Sequence, residues 1–205
     1  MSERSCLLLH LEPAELSGGM ARDAAAAPLP GGAWYTAAET GAELRYALEP
    51  GALAKVGWLA VDMLLDGEHL VVFQLVLAEG ETGRAFKLLF GGLNQCSFRV
   101  RVPMTLLRQD RWLYRREGAW LKPLCYGDRV AAEKVTTISL TVMRKAEGRA
   151  RFCITPIAAS ADEPPELTEP ELPRGPLLDE FGQNMLHDWP GRTRDEQELT
   201  VRLRA

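Results

Sequence analysis

Up to residue 160 the chain is written almost entirely in period two. Leu44, Tyr46 and Leu48 alternate with Arg45 and Ala47, and Phe98, Val100 and Val102 with Arg99 and Arg101. Ile138, Leu140 and Val142 alternate in the same way with Ser139, Thr141 and Met143. Successive side chains of a strand point to opposite faces, so each run buries one face and offers the other to solvent or a ligand. Helical periodicity is almost absent over this span. The chain is therefore confined to short strands joined by turns.

The strands can be placed. Cys6 to Leu11 forms the first, and the small residues and prolines from Ser17 to Gly32 indicate a loop or an irregular strand. Trp34-Tyr35 follows, either as an exposed aromatic contact point or as a plug closing one end of the fold. Pro50-Gly51 turns the chain, and the run from Trp58 to Leu65 ends at Asp66-Gly67, a hairpin signal. Leu70 to Ala78 is continuously apolar apart from Gln74 and predicts a strand buried on both faces. Glu79 to Gly83 turns the chain into a returning strand from Arg84 to Phe90, and Gly91-Gly92 is expected as the next turn. Val135 to Lys145 and Arg151 to Ala158 complete the set. Eight to ten short strands of this kind predict an all-β fold, an antiparallel two-sheet sandwich of jelly-roll type over residues 1–160.

Composition changes at Ala161. Residues 161–176 form a Pro/Glu-rich linker, with Pro164, Pro165, Pro170, Pro173 and Pro176 among Asp162, Glu163, Glu166, Glu169 and Glu171. Such a segment runs extended, as a strap. Residues 177–205 read as a docking tail with a short helix, opened by the capping-box spacing of Thr193 to Glu196. Two apolar anchors, Leu199 and Leu203, cannot stabilise that helix alone. The tail needs the sandwich, a partner chain or another copy to bury Phe181 and Trp189. Residues 161–205 carry eleven acidic and five basic side chains.

The chain has 205 residues, 46% hydrophobic and 25% charged, enough for a core that needs no disulfide. Cys6, Cys96, Cys125 and Cys153 form no CxxC and are expected as buried free thiols. No apolar run is long enough for a signal-peptide core or a membrane span, so the default location is cytoplasmic, or secreted if a leader has been removed.

Binding chemistry concentrates between Asn94 and Arg129. This stretch holds eight basic residues against three acidic ones in a protein of net charge −4. Trp112 and Trp120 lie among them, with Tyr114 and Tyr126 close by. Planar aromatics between fixed cations suit a ligand with apolar faces and polar edges, as sugars and single-stranded nucleic acids have. The acidic chain as a whole argues against nucleic acid, and a polysaccharide or oligosaccharide is the expected partner. Trp112, Tyr114 and Trp120 are the candidate platforms, and Arg99, Arg101, Arg111, Lys122, Asn94 and Gln95 the candidate polar partners. The surplus of cations favours an anionic or sulfated glycan. The competing interpretation makes the tryptophans packing residues and the arginines a solvated face.

Catalytic patterns are missing. His10, His69 and His187 lie in unrelated segments, without HExxH, a G-x-S-x-G elbow or a phosphate-binding glycine loop. Asp62, Asp66, Glu68 and Glu117 could in principle pair for glycoside hydrolysis, but no context predicts a raised pKa. Arg115-Arg116-Glu117 lacks the His or Tyr partner of a lyase site. No cofactor is expected. A structural Ca²⁺ would suit such a sandwich, but no calcium-loop spacing is present.

The tail carries a resemblance. In LPRGPLLDEFGQNMLHDWPGRTRDEQEL, residues 172–199, Asp179, Glu180, Phe181, Gly182 and Gln183 are followed by Asp188, Trp189, Pro190 and Gly191. This resembles the segment that joins a carbohydrate-binding-like sandwich to the catalytic barrel in agarase-like glycoside hydrolases. The preceding β-rich stretch, including Trp120-Leu121-Lys122-Pro123, is similar to the accessory domain of those proteins. The barrel would begin beyond Ala205, so no catalytic carboxylate is carried over. The resemblance implies a non-catalytic, carbohydrate-binding domain with a glycoside hydrolase catalytic domain as a further partner. The alternative is an assembly protein that docks or self-associates through its tail and has no sugar site.

Overall fold

A computed structural model describes residues 7–67, 69–109 and 120–165, with the backbone alone for residues 120–124. Thirteen strands lie among the described residues: β1 (Leu7–Leu11), β2 (Glu15–Ser17), β3 (Met20–Asp23), β4 (Ala33–Ala37), β5 (Glu43–Ala47), β6 (Trp58–Leu65), β7 (Val71–Glu79), β8 (Ala85–Gly92), β9 (Ser97–Pro103), β10 (Trp120–Gly127), β11 (Val135–Arg144), β12 (Ala150–Ile154) and β13 (Ile157–Ser160). All pairings of these strands are antiparallel. One sheet runs β10-β8-β7-β11-β5-β2. In the other, β6 pairs with β9 along one edge and with β12 and β13, end to end, along the opposite edge. β4 and β1 flank β12 and β13, and β3 lies outside β4. This is the sandwich of jelly-roll type that the alternating pattern predicts.

The core forms where the inward rows of the two sheets meet. Tyr35, Phe152, Phe73, Phe90 and Phe98 make a chain of ring contacts with centroids 5.2–6.3 Å apart, and successive members come from both sheets. Four of the five are at most 1% exposed and Tyr35 is 3% exposed. Edge-to-face and offset contacts of this kind add to the burial term, so this row ties the layers together.

Several expectations change once pairing is known. Asp66-Gly67 closes no hairpin: β6 and β7 belong to different sheets, and the turn carries the chain from one to the other. The Asp66 N–H donates to the Arg151 carbonyl (3.0 Å) instead of to a β7 partner. β7 alternates between buried and half-buried positions and is not buried on both faces, because Val72, Gln74, Val76 and Ala78 point away from the core. Trp34 and Tyr35 are buried, 7% and 3% exposed, so the aromatic pair plugs the fold and offers no contact point. The span from Ser17 to Gly32 contains the regular strand β3. Arg151 to Ala158 is not one strand, since register against β6 slips by one residue at Thr155-Pro156, where proline removes a donor.

Gly91-Gly92 is no turn either. Both residues continue β8, and a Cβ on Gly92 would lie 2.7 Å from Cζ of Phe98 and 3.0 Å from Cδ1 of Leu65. Glycine is there for close approach, so that Phe98 can reach the core across the strand. Pro123 sits in β10, which the sheet tolerates because β10 is an edge strand. Its register against β8 shifts between Leu121 and Leu124.

Candidate functional site

The outward face of the six-stranded sheet carries two registered rows. Tyr126, Lys87, Val76, Ser139 and Arg45 are successive cross-strand partners from β10 to β5. Beside them run Leu89, Gln74, Thr141 and Glu43, with the backbone of position 124 in register at the β10 end. Five strands make four inter-strand steps of about 4.8 Å, so each row spans about 19 Å. At the β10 end, the Gln74 side-chain amide donates to the Tyr126 phenol oxygen, and Lys87 Nζ lies 5.9 Å from the ring centroid. At the β5 end, Glu43 accepts from Arg45 Nε (3.0 Å) and Thr141 Oγ1 (3.3 Å). Amide, hydroxyl, carboxylate and ammonium groups therefore lie in line with one aromatic ring. That is the donor and acceptor set a chain of hydroxyl-bearing rings requires.

The residues singled out in the sequence divide among three places. Trp120 and Lys122 belong to β10, on the edge that also carries Tyr126. Asn94 and Gln95 lie in the β8–β9 crossover: Asn94 is 1% exposed, and Gln95 donates from Nε2 to the Gly67 carbonyl (3.1 Å). Arg99 and Arg101 project from β9 on the other sheet. Arg99 grips Asp62 with Nε and Nη2 (2.5 and 2.7 Å), and Arg101, only 5% exposed, bonds Glu163 (2.9 Å). Arg111, Trp112 and Tyr114 lie outside the described residues, as do Glu68, Glu117, Cys6 and the tail from residue 166 onward.

A second concave feature opens at the end of the sandwich. This shallow, open cleft is lined by Asp66, His69, Asn94, Lys145, Glu147 and Arg149, among others. Arg151 closes its floor, binding Asp66 and reaching Asp23 with Nη2 (2.9 Å). The Ala25 N–H and Arg151 hold the Asp23 carboxyl below the usual carboxylate range, and Asp66 in turn raises the Arg151 pKa. Asp62 and Asp66, two of the carboxylates that could have paired for hydrolysis, are thus each engaged by an arginine. Cys96 and Cys153 are buried free thiols, and Cys125 is half-buried. Burial pushes the Cys96 thiol up to about 11. No cluster of three or more metal-ligating side chains occurs among the described residues.

Three solved structures share this fold. The agarase AgWH50C matches 92% of this chain at 12% identity with a TM-score of 0.56, this chain covering 29% of it. PfGH50B matches 91% at 15% identity and a TM-score of 0.51, with 28% of it covered. An exo-beta-agarase matches 94% at 17% identity and a TM-score of 0.50, with 30% of it covered. The same sandwich occurs within agarases. The chain spans less than a third of each of these structures, and at such identities the likeness establishes the fold. No protein-family model and no curated protein matches the chain.

Tyr126, Gln74 and Lys87 were absent from the site that sequence alone assembled. Each had a signal in the alternation: Gln74 interrupts an apolar run and Lys87 faces away from Phe86 and Leu88. What the sequence lacked was the registration that puts β7, β8 and β10 side by side. Among the described residues, no helix is long and apolar enough to cross a membrane.

Proposed function

We propose that this chain is a non-catalytic carbohydrate-binding domain associated with polysaccharide degradation, and that the glycan lies along the outward face of the six-stranded sheet. The observation that carries this reading is the Tyr126 ring, fixed by Gln74 beside Lys87 at the head of a 19 Å polar row (about four inter-strand steps). An aromatic ring stacks on the apolar face of a sugar, while the amide, hydroxyl and charged groups beyond it bind ring hydroxyls. Trp120 and Lys122 on β10, and Arg111, Trp112 and Tyr114 before them in the sequence, are further candidates for contact with the glycan. Asn94 is buried and the Gln95 amide is bonded to the Gly67 carbonyl, so of this pair only Gln95 is kept as a candidate contact. The occurrence of the same sandwich within agarases makes an agar-type galactan the ligand to try first. Lys87 and Lys122 favour its sulfated forms.

Affinity electrophoresis of the intact protein in gels containing neutral or sulfated galactan tests this. Retardation is expected, and Trp120→Ala or Tyr126→Ala should abolish most of it without lowering the melting temperature enough to unfold the chain. Unretarded migration of the native protein in every galactan, or variants that melt early yet migrate as before, would overturn the reading.

A further inference from the structure

Arg99 and Arg101 stand on the outward side of the β6–β9 sheet, paired across the strands with Asp62 and Ala60. Yet Arg101 is 5% exposed and Ala60 8% exposed, which is unusual for outward positions. A guanidinium that has lost its water needs acceptors. The start of the strap supplies them: Arg101 Nη1 donates to Glu163 Oε1 and to the Pro164 carbonyl, both at 2.9 Å. Arg99 Nη1 donates to the Pro165 carbonyl at 2.6 Å while its other edge holds Asp62. The approach is prepared by the turn before it. Gly57 N–H donates to the Ser160 carbonyl (2.8 Å), Ser160 Oγ donates to the Asp162 carbonyl (2.8 Å), and the Ala161 carbonyl passes 2.1 Å from where a Cβ on Gly57 would sit.

The chemistry is complementary in a specific way. Guanidinium groups only donate, and two successive prolines have carbonyls but no N–H, so this stretch of strap mainly accepts. Proline also fixes the extended backbone before contact, which lowers the entropy lost on docking. Glu163 adds the opposite charge, and the guanidinium of Arg101 lies 5.9 Å from the Trp58 ring.

We infer that Arg99 and Arg101 form a docking track for an acidic, proline-rich extended segment, occupied in cis by residues 162–165. The track fixes the direction in which the chain leaves the sandwich, on the sheet opposite the face assigned to glycan. Its arginines are linker anchors, engaged by the strap through Glu163, Pro164 and Pro165. The inference rests on the strap contacts and stands whether or not the glycan reading does.

Backbone ¹⁵N relaxation of the full chain decides it. Asp162 and Glu163 should show order parameters near the rigid value of about 0.85, falling below about 0.6 in the double variant Arg99→Gln/Arg101→Gln. Glu163→Lys, a change at a side chain 43% exposed, should have the same effect through repulsion of Arg101. If the double variant loses its dispersed spectrum, Glu163→Lys alone decides. Order parameters below about 0.6 in the native chain, or rigid values retained in the folded variants, would overturn the track.

Discussion

The guanidinium of Arg151 lies 4.0 Å from the ring centroid of Trp34, while its nitrogens bind Asp23 on β3 and Asp66 at the crossover from β6 to β7. One side chain thus joins an edge strand, the aromatic plug and a connection between the sheets. Trp34 is held from its other side by its indole N–H, which donates to the Ala26 carbonyl (3.0 Å). Cation–π contacts contribute about 0.5–2 kcal/mol, and exposed ion pairs less than about 1 kcal/mol each. Arg151→Ala should lower the unfolding free energy by about 1–2 kcal/mol, read by urea denaturation. Arg151→Lys should recover only part of this, because an ammonium cannot stack on the indole and fork to two carboxylates together.

Tyr46 is fully buried, and among the described residues its hydroxyl has no hydrogen-bond partner. A buried polar group left unsatisfied costs about 1–3 kcal/mol. Tyr46→Phe removes the hydroxyl and keeps the ring, so it should raise the unfolding free energy, by about 1 kcal/mol in denaturant titrations. A loss of stability would show that the hydroxyl is satisfied in solution.

Alkaline stability follows from the same burial. Desolvation raises the pKa of Cys96 from 9.0 to about 11, and it raises those of Cys153, Tyr35 and Tyr46 as well. Between the unfolded and folded values the native state holds more protons, so stability falls as pH rises. The contribution of Cys96 is complete below pH 9 and lost by pH 11, a difference of about 2–3 kcal/mol. Unfolding free energies measured from pH 7 to 11 should decline beyond pH 9, and Cys96→Ala should flatten that decline.

What the sequence made legible was local. Alternation around Leu44, Phe98 and Ile138 gave the strands and their inward faces, since side-chain direction follows from the backbone alone. Pairing was not local, and the errors lie there. Asp66-Gly67 has hairpin chemistry, but its two strands serve different sheets. Gly92 has turn chemistry, but its missing Cβ makes room for Phe98 from another strand. The candidate site divided for the same reason: Arg99 and Trp120 lie in one basic, aromatic stretch of sequence, yet β9 and β10 belong to opposite layers. The opposite charges of that stretch and of the strap were visible, and their meeting at Arg101 and Glu163 required the structure.

The glycan face makes a prediction that separates stacking from hydrogen bonding. Gln74 donates to the Tyr126 oxygen, so under the proposed reading the phenol serves to hold the ring while the ring face is left for the ligand. Tyr126→Ala removes the platform, and an aromatic contact of about 1.4 kcal/mol corresponds to a tenfold loss of affinity. Tyr126→Phe keeps the platform and frees the Gln74 amide to bond a sugar hydroxyl, so affinity should stay within about threefold, a difference below 1 kcal/mol. Lys87→Met should leave neutral galactan binding unchanged and remove the preference for sulfated chains, together with its sensitivity to salt. Isothermal titration with a neutral and a sulfated oligosaccharide distinguishes these cases. Equal losses for Tyr126→Ala and Tyr126→Phe would show that the hydroxyl, not the ring, carries the contact, and the ligand would then have to be sought along Thr141 and Glu43 at the far end of the row.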